Sequence, residues 1–83
     1  MWFVYLLRCS DSSLYTGITT DLTRRLQEHN AGKGGAYTRS KRPVRLVFRE
    51  AHSNRVSALR REMDIKRGSH SQKERLAAVG VDL

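Results

Sequence analysis

In the stretch Ala58-Leu59-Arg60-Arg61-Glu62-Met63-Asp64-Ile65-Lys66, helical periodicity sets Glu62 between two apolar rows: Val56, Leu59 and Met63 on one side, Ala58 and Ile65 on the other. A carboxylate there is costly unless a cation answers it, because an unpaired charge taken out of water is strongly disfavoured. The candidate cations are Arg25, Lys66 one turn on, and a metal ion. Arg25 and His29 are a second misfit of the same kind. At about 100° per residue they project within about 60° of Leu22, toward the rest of the fold rather than toward solvent. With the phenols of Tyr5 and Tyr15, these are groups that can hold a cation, neutralise an anion or move a proton.

Each has a plainer reading beside the chemical one. Glu62 and Lys66 form the favourable i, i+4 pair of many solvated helices, and Arg25 and His29 can simply edge a core. Tyr5 and Tyr15 are ordinary content for strands. Tyr37, in a polar stretch, is either a stacking platform for a base or a cover for a hydrophobic edge. Arg39, Lys41, Arg42, Arg45 and Arg49 are either a phosphate-tracking surface or an ordinarily solvated one.

The elements that must position these groups can be read from the pattern. Trp2 to Cys9 is rich in aromatic and β-branched residues, and Ser10-Asp11-Ser12-Ser13 supplies turn formers before a second run, Leu14 to Ile18. A hairpin is expected. Thr20 or Asp21 can cap a helix carrying Leu22 and Leu26 and ending near Asn30 and Gly32, followed by a flexible basic loop, Gly32-Lys33-Gly34-Gly35. That loop follows a helix rather than opening one, so it is not a Walker phosphate loop. After Pro43, Val44, Leu46 and Phe48 alternate with Arg45, Val47 and Arg49, as a half-exposed strand with a basic outer face would. A helix from Ser53 or Asn54 to about Arg67 stops at Gly68, and Ser69 or Ser71 can cap a last helix through Val79 before Gly80. The expected order is β-β-α-β-α-α in one α+β domain over residues 1–83, a small three-stranded antiparallel sheet flanked by helices.

Parity imposes a condition on the hairpin. Tyr5 and Tyr15 share a face only if their strands pair about an even sum, which requires an odd connection or a bulge near Ser10 to Ser13.

Composition narrows the partners. Sixteen Lys and Arg against eight Asp and Glu leave +8 on 83 residues, which favours a polyanion such as nucleic acid or an anionic membrane. The run Val4 to Leu7, with Trp2 and Phe3 ahead of it, is far shorter than the ~20 residues of a membrane-spanning helix. No long helix pairs a broad apolar face with a purely basic one, so no membrane role is expected. The N-terminal residues do not follow a secretory-signal pattern, and a cytoplasmic location is expected. Cys9 is the single cysteine, and His29, His52 and His70 lack zinc-ligand spacing; neither a disulfide nor a structural zinc is expected.

Phe3-Val4-Tyr5 and Tyr15-Thr16-Gly17, about ten residues apart across the hairpin, resemble the paired tripeptides of the GIY-YIG nuclease superfamily. The resemblance continues through Asp21-Leu22, Arg25 and His29, and then through the Glu62 helix, in that order and over nearly the whole chain. Leu14 to Asp21, with Gly32-Lys33-Gly34 later, is similar to the short stand-alone bacterial branch of predicted endonucleases.

The resemblance implies a metal-dependent endonuclease that hydrolyses phosphodiester bonds in nucleic acid, DNA favoured over RNA, in a setting such as DNA repair. Glu62 would hold one Mg²⁺ (or Mn²⁺), Arg25 would neutralise the scissile phosphate, Tyr5 would be the general base and Tyr15 would orient water or phosphate. His29 would assist Tyr5 or relay its proton, and Gly17 would be structural. Lys33, Tyr37, Arg39, Lys41, Arg42 and Lys66 would bind nucleic acid.

Two departures stand out. The first tripeptide keeps only its tyrosine, and no asparagine follows Glu62, where Ser69, Ser71 or Gln72 would have to substitute. With no appended recognition domain in these residues, low sequence specificity is expected, and no obligate protein partner. The alternative is a basic nucleic-acid-binding protein that keeps the fold without cutting.

Overall fold

The structure is a computed structural model and describes residues 1–79. Two strands, β1 (Trp2–Arg8) and β2 (Leu14–Thr19), lead into helix α1 (Leu22–Asn30) and a single helical turn, α2 (Ala36–Arg39). Strand β3 (Arg45–His52) and helices α3 (Arg55–Arg67) and α4 (His70–Val79) complete the chain. The expected order is observed, with α2 as an added turn just after the loop of residues 32–35, in the polar stretch around Tyr37; the stop expected at Gly80 lies outside the described residues. No helix among the described residues is long and apolar enough to cross a membrane.

The strands form one antiparallel sheet in the order β2-β1-β3. Strand β1 is central, which is why its apolar residues run on without alternating: both of its faces are covered. Val4 and Leu6 pack with Phe48, Ala58 and Ile65 on the side of α3 and α4. Tyr5, Leu7 and Cys9 pack with Val44, Leu22 and Leu26 on the side of α1.

The parity condition is met. Five residues, Cys9 to Ser13, connect β1 to β2, with Ser12 at φ 72° and Cys9 N–H bonded to the Ser13 carbonyl at 2.9 Å. Tyr5 then stands opposite Gly17 and Leu7 opposite Tyr15, so both tyrosines lie on the α1 face.

The third strand departs from its expected alternation. Register shifts between Leu6 and Leu7, which face Phe48 and Leu46, leaving Val47 as the extra residue of a bulge. Leu46 therefore joins Val44 in the Tyr5 cluster, while Val47 and Phe48 both pack on the α3 side. Arg49, expected beside Arg45 on an outer basic face, stands instead opposite Tyr5. Simple alternation places Arg45 and Arg49 together; the bulge separates them.

The helix ends follow their capping chemistry. Asp21 accepts from Arg24 N–H at 3.0 Å and Asn54 from Ser57 N–H at 2.8 Å. At the end of α1, Gly32 takes φ 82° while its N–H reaches His29 and that of Lys33 reaches Glu28, a Schellman closure. Ser69 accepts from Gln72 N–H and the Gln72 amide oxygen from Ser69 N–H, a reciprocal cap on α4.

Two side chains outside the core fasten the elements. Asn30 clasps the residue entering β3, its amide nitrogen donating to the Val44 carbonyl at 3.0 Å and its oxygen accepting from Val44 N–H at 2.8 Å. Removing the amide leaves two part-buried backbone groups without partners, so Asn30→Ala is expected to lower stability by about 1–3 kcal/mol, read as a shifted urea midpoint with unchanged slope.

Arg8 grips Glu74 with two N–H···O bonds of 2.6 Å and ties α4 to the end of β1. That grip holds the Glu74 carboxyl below the usual carboxylate range. A depressed folded pKa contributes stability that is present above the unfolded value and lost as pH falls through the folded one. Acid is therefore expected to loosen α4, and Glu74→Gln to flatten that part of a stability–pH profile.

Candidate active site

His29 lies at the centre of the predicted constellation. It is 0 % exposed, although it occupies a helix of nine mostly polar residues, and it fills the space between α1, β1 and α2. Its Nε2 is 3.1 Å from the Tyr5 hydroxyl and its Nδ1 is 2.7 Å from Thr38 Oγ1. The imidazole is thus held at both nitrogens by groups from two other elements.

Burial pushes the His29 pKa down, and the neighbouring Arg25 guanidinium pushes it the same way. The ring is neutral at pH 7, so only one of its nitrogens carries a proton. If the phenol donates to Nε2, Nδ1–H donates to Thr38; the reverse tautomer turns both bonds around. Because His29 favours the neutral form, its contribution to stability is complete above its unfolded pKa and falls away in acid.

Tyr5 is 2 % exposed. Desolvation raises its pKa to about 12, Arg25 offsets part of the rise, and Tyr15 and Glu62 add to it. The effect of Glu62 puts its carboxylate within electrostatic reach of the phenol. Gly17, opposite Tyr5, is what lets the ring lie across β2: a Cβ there would stand 2.5 Å from the phenol oxygen.

Tyr15 is half-buried, its ring 6.5 Å from that of Tyr5 and 5.2 Å from the imidazole. Its hydroxyl has no hydrogen-bond partner among the described residues. Tyr37 stacks on it at 5.8 Å while remaining 44 % exposed, so the two readings of Tyr37 combine: it covers an aromatic edge and still offers surface.

Arg25 is half-buried, donating to Glu28 at 3.0 Å and to the Gly34 carbonyl at 2.8 Å. The Glu62 side chain is only 15 % exposed, so it is not turned out to bulk solvent. Its ion-pair partner is Lys66 at 3.5 Å, itself 54 % exposed, rather than Arg25. The pairing read as the plain alternative is therefore present, and it leaves one carboxylate oxygen without a partner.

That donor set suits a hard cation that takes one or two carboxylates and fills the rest of its octahedron with water and phosphate. It does not suit a cation that needs an all-protein cage, since no group of three or more His, Cys, Asp or Glu converges among the described residues.

The predicted nucleic-acid residues are only partly gathered. Lys41 sits 4.5 Å over the Tyr37 ring, and Arg42 donates to the Arg39 and Asn30 carbonyls, so Tyr37, Arg39, Lys41 and Arg42 cluster around α2. Lys33 is exposed in the loop before α2, and Lys66 belongs to α3 beside Glu62. Ser69 and Gln72, considered as replacements for a late asparagine, are engaged in capping α4.

Two residues of the site were not singled out in the sequence. Thr38 holds His29 Nδ1, and Gly34 packs so closely on the ring that a Cβ would meet Nδ1 at 2.1 Å. In the sequence Gly34 reads as part of a flexible basic loop and of the Gly32-Lys33-Gly34 stretch of the family resemblance, neither of which ties it to His29.

Residues 1–75 match the GIY-YIG catalytic domain. A UPF0213 protein of Haloquadratum walsbyi is 51% identical over 81 residues, covering 98% of this chain and 91% of that protein. Another, from Staphylococcus haemolyticus, is 51% identical over 71 residues, covering 86% and 87%. Among solved structures, the solution NMR structure of a UPF0213 protein from Bacillus halodurans superposes with a TM-score of 0.61 at 44% identity, covering 95% of this chain and 85% of that one. The solution NMR structure of a protein from E. faecalis gives 0.60 at 40% identity, covering 88% of this chain and 78% of that one.

Proposed function

The chain belongs to the GIY-YIG catalytic-domain family of the nuclease superfamily, and from that premise we propose that it is a metal-dependent endonuclease acting on nucleic acid, DNA in preference to RNA, with low sequence specificity. The observation that carries the reading is the bond from the Tyr5 hydroxyl to a buried, neutral His29 beside Arg25.

Hydrolysis needs a base for the attacking water. With a pKa of about 12 for Tyr5, a standing phenolate at pH 7 would cost about 7 kcal/mol, at 1.36 kcal/mol per unit. A relay avoids that state: Tyr5 takes the water's proton as its own passes to His29 Nε2, and His29 Nδ1–H stays bonded to Thr38. Tyr15, with its free hydroxyl, orients the water or the phosphate. Arg25 answers the phosphate's charge through a planar two-point contact, exchanging its bond to Glu28.

Glu62 would hold Mg²⁺ or Mn²⁺, which when bound supplies positive charge at the leaving oxygen. The cluster of Tyr37, Arg39, Lys41 and Arg42, together with Lys33 and Lys66, would track the backbone on either side. Lys66, paired with Glu62, would have to give up that contact for the carboxylate to hold a cation.

The test is incubation of the purified protein with a panel of labelled DNA and RNA, single-stranded, duplex and branched, with Mg²⁺ or with EDTA. Nicked product that depends on the metal and falls by about 10²-fold or more in Tyr5→Phe supports the relay. Because the relay needs neutral His29, the rate is expected to hold below the ordinary histidine range and to fail only in stronger acid. Binding at low salt without any product would leave a basic scaffold that does not cut.

A further inference from the structure

Helix α3 has two flanks. Relative to the buried row of Ala58 and Ile65, Glu62 lies about 50° to one side, and Arg61 and Asp64 lie about 50–110° to the other. On this second flank α3 and α4 enclose a cleft of ≈ 290 Å³, floored by Ile65 and Leu76. Arg61, Lys73 and Arg75 line it against one carboxylate, Asp64.

The charges are not equivalent. Arg61 is engaged with Glu50 at 3.0 Å. Lys73 and Arg75 have no side-chain partner among the described residues, so both ammonium and guanidinium are available to an anion. Gln72 commits only its amide oxygen, to Ser69 N–H, and keeps its amide nitrogen as a donor. Cations at the rim, an apolar floor, one donor and one acceptor together describe the surface of a phosphorylated nucleoside.

We propose that the α3–α4 cleft is a second nucleotide site, separate from the Tyr5–His29–Glu62 centre, that binds a phosphate at its cationic rim, on Lys73 at one side or Arg75 at the other, and a nucleoside ring against Ile65 and Leu76. Asp64 and Gln72 then meet sugar hydroxyls or the base edge. The chemistry fits either a free mononucleotide or one nucleotide of a polynucleotide. The second source rests on the proposed nuclease function. It would mean that a substrate is gripped on both flanks of α3, about 10 Å apart across the helix.

The experiment is an amide ¹H–¹⁵N NMR titration of the full chain with inorganic phosphate, adenosine, adenosine 5′-monophosphate and a ten-nucleotide single-stranded DNA. Saturable shifts at Gly68, Lys73 and Leu76 with the monophosphate, at least tenfold weaker with adenosine, are expected. A Lys73→Gln/Arg75→Gln double variant should weaken them about tenfold or more while its spectrum elsewhere stays unchanged. If the oligonucleotide binds the cleft more tightly than the monophosphate, the source is a polynucleotide; equal affinity assigns a free nucleotide.

Absence of saturable shifts in the cleft, shifts confined to α2, or affinity unaltered in the double variant would overturn the proposal. Repeating the titration with Glu62→Ala separates the two readings. Cleft binding without any cleavage by the unaltered protein sinks only the nuclease, and cleavage without cleft binding sinks only the second site.

Discussion

Glu62→Gln is expected to remove metal-dependent cleavage, by about 10³-fold or more, equivalent to about 4 kcal/mol of transition-state stabilisation. The substitution keeps the shape of the side chain and takes away its charge. Glu62 sits on the rim of the core at 15 % exposure with Lys66 as its partner, so the amide still fits and the fold is preserved. Nucleic-acid binding is expected to hold or to strengthen, because one negative charge leaves a surface that must meet phosphate. Two measurements on one preparation decide it: cleavage of a labelled substrate with Mg²⁺, and binding with EDTA. Cleavage retained within tenfold would show that the carboxylate only pairs with Lys66 and would end the proposed role of Glu62.

Gly34→Ala is expected to be the most damaging single-methyl change in the described chain, at about 2–4 kcal/mol. Its Cβ would fall 2.1 Å from His29 Nδ1 and 2.5 Å from Cγ. The ring cannot swing away without giving up Tyr5 on one side or Thr38 on the other, and it has no exposed surface to move into. The Gly34 carbonyl also receives Arg25, so the displacement reaches the guanidinium. For a domain of this size the loss corresponds to roughly 10–25 °C in Tm, and thermal unfolding by circular dichroism reads it directly. A melting temperature within two or three degrees of the parent would mean that the loop before α2 gives way freely and that His29 is less firmly held than its contacts imply.

The two positions differ in how far the sequence reveals them. Glu62 was visible because a charge interrupts an apolar face, a conflict that local periodicity exposes. The shared face of Tyr5 and Tyr15 followed from parity once the five-residue connection was in place. The buried character of β1 and the capping of α1 and α3 by Asp21 and Asn54 are likewise local, written in adjacent residue types.

Gly34 and Thr38 were hidden because their importance comes from His29, five and nine residues away, after the chain has turned at Gly32. Nothing in their own neighbourhoods signals it. The bulge at Val47 is hidden for a related reason. Leu46, Val47 and Phe48 are all apolar, so the pattern cannot say which residue the neighbouring strand will skip, and Arg49 changes sides in consequence. The pairing of Glu62 with Lys66 rather than Arg25 was among the alternatives, and geometry alone chose it.

The clasp of Asn30 on Val44 also bears on the company the protein keeps. Strand β3 is one of the two edge strands of the sheet, and its entrance offers one backbone donor and one acceptor that a neighbouring chain could annex. A carboxamide presents the same donor and acceptor as a peptide group, so Asn30 behaves there as one residue of a fourth strand that was never built. The rim is occupied at the point where intermolecular pairing could begin, which guards a small molecule against polymerising through that edge.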